Sequence, residues 1–193
     1  MSGYKKHIGI MGGTFDPIHC GHLLAAEQAR EQAHLDEVWF MPVNIPPHKS
    51  REGLTSAHHR LRMVELAVAS HPSFRVCDDE VKRGGPSFTY ETMVRLTKQF
   101  PAYRFSFIIG ADMVNTLPQW NHYEELIRMI RFIGLARPGS HLAQENEHVT
   151  YVEMPVWDIS STMIRSKVAA GKSIRYLVPD EVARYIKENG FYG

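Results

Sequence analysis

"HIGIMGGTFDPIHCGHLLAAEQAREQ", residues 7–32, is the stretch that decides the fold class. "HIGIM" (7–11) reads as a buried strand, and "LLAAEQAREQAHL" (23–35) reads as a helix with Ala and Leu on its inner stripe. The residues between them are the unusual part. They contain neither the G-x-x-x-x-G-K-[ST] spacing with its lysine nor G-x-G-x-x-G, so neither common phosphate-cradling loop is present. Gly12 and Gly13 lack a Cβ; they predict a sharp turn with unusual dihedrals and close approach of a ligand to the backbone. A helix starting near Gly21 presents unsatisfied N–H groups and a positive dipole end to an anion. His19 and His22 are three residues apart and lean to one side of that first turn, where imidazoles donate to phosphoryl oxygens. Taken alone, H-x-x-H also fits a metal pair or two capping histidines. A metal site needs a third ligand, and none announces itself by spacing.

The handover from strand to helix then repeats. Strands are read at "EVWFMPV" (37–43), "FRVCD" (74–78), "YRFSFIIG" (103–110), "RFIGLARPG" (131–139) and "VTYVEMPV" (149–156). Helices are read at 57–71, where Leu61, Val64 and Val68 share a face, and at 90–100, 122–130, 160–171 and 179–190. Strand followed by helix throughout predicts an α/β fold. The sheet is expected to be Rossmann-like, doubly wound and mostly parallel, with helices on both faces. We expect one domain over 1–193, with a small helical C-terminal subdomain from about 159. In such sheets ligands bind beyond the carboxyl ends of the strands. That rule puts the glycine-histidine segment and "IIGAD" (108–112) on one rim.

Composition narrows the function classes. A chain of 193 residues with 44% hydrophobic content builds a substantial core, and a net charge of +1 argues against gripping nucleic acid as a main task. The two cysteines, Cys20 and Cys77, make no disulfide framework. No leader-like or membrane-length apolar run occurs, so the expected location is cytoplasmic. The acidic run Asp78–Glu80 is read as a solvated strand end rather than a metal site.

A second anion site is written near the other end of the chain. In "DISSTMIR" (158–165), Ser160 or Ser161 can cap a helix, and Arg165, four residues after Ser161, adds a fork of donors on the same side. By itself the element reads as an ordinary capped helix with a surface arginine; beside the first motif, phosphate binding is the better reading. Lys49, on the proline-stiffened loop "NIPPHKSREGLTS" (44–56), can swing over phosphates or stay solvated. Trp120 suits stacking on a flat ring as well as core packing. Asp112 suits either ribose hydroxyls or a helix start. Arg137 in "ARPG" is a candidate contact for a nucleotide.

"GGTFDPIHCGH" (12–22) resembles the signature of the H-x-G-H nucleotidyltransferases, in particular the bacterial nicotinate mononucleotide adenylyltransferases. "ISSTMIR" (159–165) is similar to their I-S-S-T-x-I-R element, and "PPHK", "SFTYET", "IIGADM" and "QWNHYEEL" follow in the family's order. The resemblance implies transfer of an adenylyl group from ATP to nicotinate mononucleotide, giving nicotinate adenine dinucleotide and pyrophosphate. It also implies Mg2+ carried by ATP, with no metal ligand from the protein and no nucleic-acid or membrane partner; a homo-oligomer stays open. His19, His22 and Arg165 would be catalytic. Gly12, Gly13, Thr14, Gly21, Lys49, Gly110, Asp112, Arg137, Ile159, Ser160 and Ser161 would join them on ATP and its phosphates. Thr14, Phe15, Lys49, Thr89, Tyr90 and Trp120 would bind the mononucleotide. Nicotinamide mononucleotide or phosphopantetheine as acceptor, and a nucleotide-binding regulator without turnover, are the alternatives.

Overall fold

The computed structural model describes residue 3 and residues 5–45, 53–136 and 146–193. Six strands form one sheet: β1 (Lys6–Gly13), β2 (Glu37–Pro42), β3 (Phe74–Val76), β4 (Tyr103–Gly110), β5 (Arg131–Ala136) and β6 (Val149–Glu153). Their order is β3-β2-β1-β4-β5-β6, and every pairing is parallel. This is the doubly wound arrangement the strand-helix alternation predicts, with its switch point between β1 and β4.

Period-two alternation along the central strands divides the core. Ile8 and Ile10 of β1 and Phe105, Phe107 and Ile109 of β4 face one side, where α4 (Thr89–Gln99) and α6 (Tyr123–Met129) cover them. Met11 and Ile108 face the other side. There they meet α1 (Cys20–Gln32), α2 (Ala57–Val68), α7 (Ser161–Ala169) and α8 (Asp180–Glu188). The C-terminal helices thus share one apolar cluster with the helix that follows the first strand, which carries residues 159–165 to the glycine-histidine segment.

The structure departs from the sequence reading at several points. β1 runs two residues past Met11, because Gly12 and Gly13 pair with Met41 and Pro42 of β2. Neither glycine has a positive φ; that conformation falls on Phe15, at 51°. The glycines are required for space: a Cβ on Gly12 would lie 3.0 Å from Phe107 Cζ, and one on Gly13 would lie 2.8 Å from Phe15 Cζ. Asp78–Glu80 is not a solvated strand end. A short helix, α3 (Asp79–Arg83), forms there and buries Glu80, whose carboxylate accepts from Thr92 Oγ1 at 2.8 Å. Helix α5 (Ala111–Val114) and a 3-10 turn (Leu117–Gln119) are too short to leave a periodic signal. Among the described residues, no helix is long and apolar enough to cross a membrane.

Candidate active site

A cavity of about 650 Å3 opens beyond the carboxyl ends of β1 and β4. Gly12 and Thr14 line it from the first strand, Gly110 and Asp112 from the fourth, and Ser160 and Arg165 from the C-terminal helix start. His19 is the N-cap of α1 and His22 its third residue. The rings stack with centroids 3.7 Å apart and planes 25° from parallel. Phe15 closes on His22 edge-on, with centroids 5.0 Å apart, so its positive φ turns a core ring under the imidazole pair. Gly21 is a glycine because His19 folds back over it: a Cβ there would sit 3.0 Å from His19 Nδ1. That contact explains the third letter of H-x-G-H.

One backbone hydrogen bond fixes the chemistry of His22. The His19 N–H donates to His22 Nδ1 at 3.2 Å, so the neutral ring carries its proton on Nε2. Burial, with neighbouring His19 as the second cause, holds the His22 pKa well below the usual imidazole value. Without an anion His22 is therefore a neutral donor. A negative charge placed beside the ring would favour its protonated form.

The two motif segments meet directly. Ser160 caps α7, its Oγ accepting from Met163 N at 3.1 Å. Ser161 instead donates from Oγ to the Pro17 carbonyl at 2.9 Å, and Arg165 donates from Nη1 to the Asp16 carbonyl at 2.8 Å. Two stretches more than a hundred positions apart thus build one wall, with both helix starts lining the same cavity. A helix start contributes roughly 0.3–1 kcal/mol toward an anion, whereas a preorganised donor facing transition-state charge contributes about 2.7–4 kcal/mol.

Comparison with known proteins agrees with this geometry. Residues 10–167 match the cytidylyltransferase-like family model. The chain is 50% identical over 188 residues to the probable nicotinate-nucleotide adenylyltransferase of Oceanobacillus iheyensis, covering 97% of each chain. It is 47% identical over 187 residues to the nicotinate-nucleotide adenylyltransferase of Bacillus subtilis, covering 97% of this chain and 98% of that one. The chain belongs to the nicotinate-nucleotide adenylyltransferases. The fold matches the Plasmodium falciparum nicotinic acid mononucleotide adenylyltransferase solved with NaAD, at a TM-score of 0.81, 22% identity and 97% coverage of both chains.

Not every expected site residue of this enzyme lies on the cavity. Gly12, Thr14, His19, Gly21, His22, Gly110, Asp112, Ile159, Ser160, Ser161 and Arg165 line it. Gly13 sits behind them in the sheet and Phe15 is in the core. Thr89 begins α4, and Tyr90 stacks on His122 with centroids 4.3 Å apart. Trp120 is half-buried, packed edge-on against Phe107 and Phe132 at 6.1 Å each. Trp120 stands one layer back, against Phe107, which does line the cavity, whereas Thr89 and Tyr90 are not among the lining residues. Lys49 and Arg137 lie outside the described residues.

The sequence reading missed three groups under the site. Arg60 is fully buried. Asp16 is buried and lines the cavity, and its Oδ1 accepts from Tyr192 Oη at 2.5 Å. Burial first, and this carboxylate second, push the Tyr192 phenol far above its usual range, so it stays a donor. Arg60 was legible in principle: it falls three and four residues before Met63 and Val64, on the apolar stripe of α2.

Proposed function

We propose that the enzyme transfers the adenylyl group of ATP to the 5′-phosphate of nicotinate mononucleotide, releasing pyrophosphate and forming nicotinate adenine dinucleotide. The single observation carrying this reading is the shared wall of His19, His22, Ser160 and Arg165 around one cavity. A phosphate oxygen of the acceptor attacks the α-phosphorus in line. The new O–P bond forms as the bond from the α-phosphorus to the bridging oxygen of pyrophosphate breaks. No protein nucleophile is needed; positioning and charge stabilisation are the protein's work.

In this reading His19 meets the α-phosphoryl oxygens, and the Nε2–H of His22 follows the charge that grows on departing pyrophosphate. Ser160, Ser161 and Arg165 hold the triphosphate from the α7 side, and Asp112 accepts from ribose hydroxyls. The pyridine end points past Phe107 toward Thr89, Tyr90 and Trp120, where donors to a carboxylate favour the acid over the amide. Lys49 and Arg137 are assigned to the phosphates and to ATP. Among the described residues, no three His, Cys, Asp or Glu side chains gather into a cation site. Mg2+ is assigned to the nucleotide substrate, held by phosphate oxygens and water. The compartment assigned is the cytoplasm.

Positional labelling tests the reading. With 18O in the phosphate of nicotinate mononucleotide and unlabelled ATP, all label is expected in the dinucleotide, including its bridging oxygen, and none in pyrophosphate. Label in pyrophosphate, or no dinucleotide, contradicts it.

A further inference from the structure

A buried guanidinium is costly compared with an apolar side chain of similar volume, so its presence calls for work that only its donors perform. Arg60 is fully buried, and among the described residues it forms no ion pair within salt-bridge distance. Its hydrogen bonds go to main-chain carbonyls instead. Nε donates to Thr55 O at 2.9 Å, Nη1 to Thr14 O at 2.7 Å and Val43 O at 2.8 Å, and Nη2 to Asn44 O at 2.9 Å. One planar group thus ties three segments together: the turn leaving β1, the exit from β2 and the approach to α2.

The ties close into a circuit. Thr55, whose carbonyl Arg60 holds, donates its own N–H to Asp16 Oδ2 at 3.3 Å. Tyr192 holds the other oxygen of that carboxylate, and Arg165 holds the Asp16 carbonyl. Thr14, Asp16 and Arg165 all line the cavity. Lysine cannot replace this arrangement, because a compact ammonium with three donors does not span acceptors set out for a planar fork.

We propose that Arg60 is a positioning residue for adenylyl transfer, with Tyr192 as its second support: from beneath the cavity they set the Thr14–Asp16 turn, and through it Arg165 and the start of α1. The effect on turnover rests on the adenylyl-transfer reading above; the effect on the turn does not. Arg60→Met keeps an apolar stem and removes every donor, Arg60→Lys keeps the charge, and Tyr192→Phe removes a single hydroxyl. In Arg60→Met, kcat is expected to fall about 10²-fold, the scale of a displacement near 1 Å, while KM for ATP changes by less than about threefold. Arg60→Lys is expected to restore little of the loss, and Tyr192→Phe to lower kcat about fivefold to tenfold. Hydrogen exchange of the substrate-free variants is expected to quicken in residues 12–22 while the strands keep wild-type protection. Wild-type kcat in both Arg60→Lys and Tyr192→Phe overturns the proposal, as does unchanged exchange in 12–22. Should Arg60→Met not fold, Tyr192→Phe carries the test. A wild-type enzyme inactive with these substrates condemns the reaction assigned above, and the exchange measurement still decides the role of Arg60.

Discussion

The main-chain N–H of His19 points at Nδ1 of His22 across 3.2 Å, and this contact leaves Nε2–H as the one ring donor of neutral His22. A side chain oriented by backbone loses little freedom when a phosphate arrives, which is what transition-state stabilisation requires. His22→Ala removes that donor and is expected to lower kcat by about 10²–10³-fold with an unchanged far-UV circular dichroism spectrum. A folded variant turning over near the wild-type rate would remove His22 from the mechanism.

Acid stability follows from the same residue. The pKa of His22 is depressed by burial and by His19, so as pH falls below the ordinary value of 6.5 the unfolded chain takes up a proton that the folded one still refuses. In that window the unfolded state binds more protons, and folding stability falls with falling pH; above it the contribution is fully present. Urea unfolding at about pH 7.5 and about pH 5.5 is expected to show a larger loss for the wild type than for His22→Ala. Equal losses contradict the assignment.

Gly21 separates activity from stability. Ala at this helical position gains helix propensity of up to about 1 kcal/mol. Its Cβ would lie 3.0 Å from His19 Nδ1 and 3.1 Å from Cε1, displacing the ring. Gly21→Ala is therefore expected to melt no lower than the wild type and to lose at least about tenfold in kcat. Full activity in this variant would mean that the placement of the His19 ring is unimportant.

Trp120 packs in the core and is proposed to stack on the pyridine ring, and truncation separates the two. Packed against Phe107 and Phe132, its truncation to Ala is expected to cost about 3 kcal/mol in urea unfolding. Loss of stacking is expected to raise KM for the mononucleotide about tenfold, and more than KM for ATP. Equal effects on the two substrates would leave Trp120 a core residue only.

What was legible in the sequence follows physical lines. The central strands carry runs that are apolar on both faces, and the longer helices carry a periodic stripe, so strand order aside the architecture could be read directly. H-x-G-H and I-S-S-T-x-I-R have local signatures as helix starts with side-chain donors, the family resemblance turned both toward phosphate, and the structure brings both starts to one cavity. Contacts beneath them have none. The carbonyls that Arg60 gathers come from three separate segments, and Tyr192 reaches Asp16 across 176 positions. In the sequence Gly12 and Gly13 predict both unusual dihedrals and close approach of a ligand: neither has a positive φ, Gly12 does line the cavity, and rings from Phe107 and Phe15 leave little room for a Cβ on either. Short helices such as α3 formed where the acidic run suggested exposure, since Glu80 finds its partner, Thr92, on another helix.

We propose that this cavity joins a nucleoside triphosphate to a pyridine mononucleotide. The most direct measurement is pyrophosphate release from ATP by the wild-type enzyme, offered in turn nicotinate mononucleotide, nicotinamide mononucleotide and phosphopantetheine. The highest kcat/KM is expected with the first, less with the second and none with the third. Release at equal rates with all three, or with none of them, contradicts it.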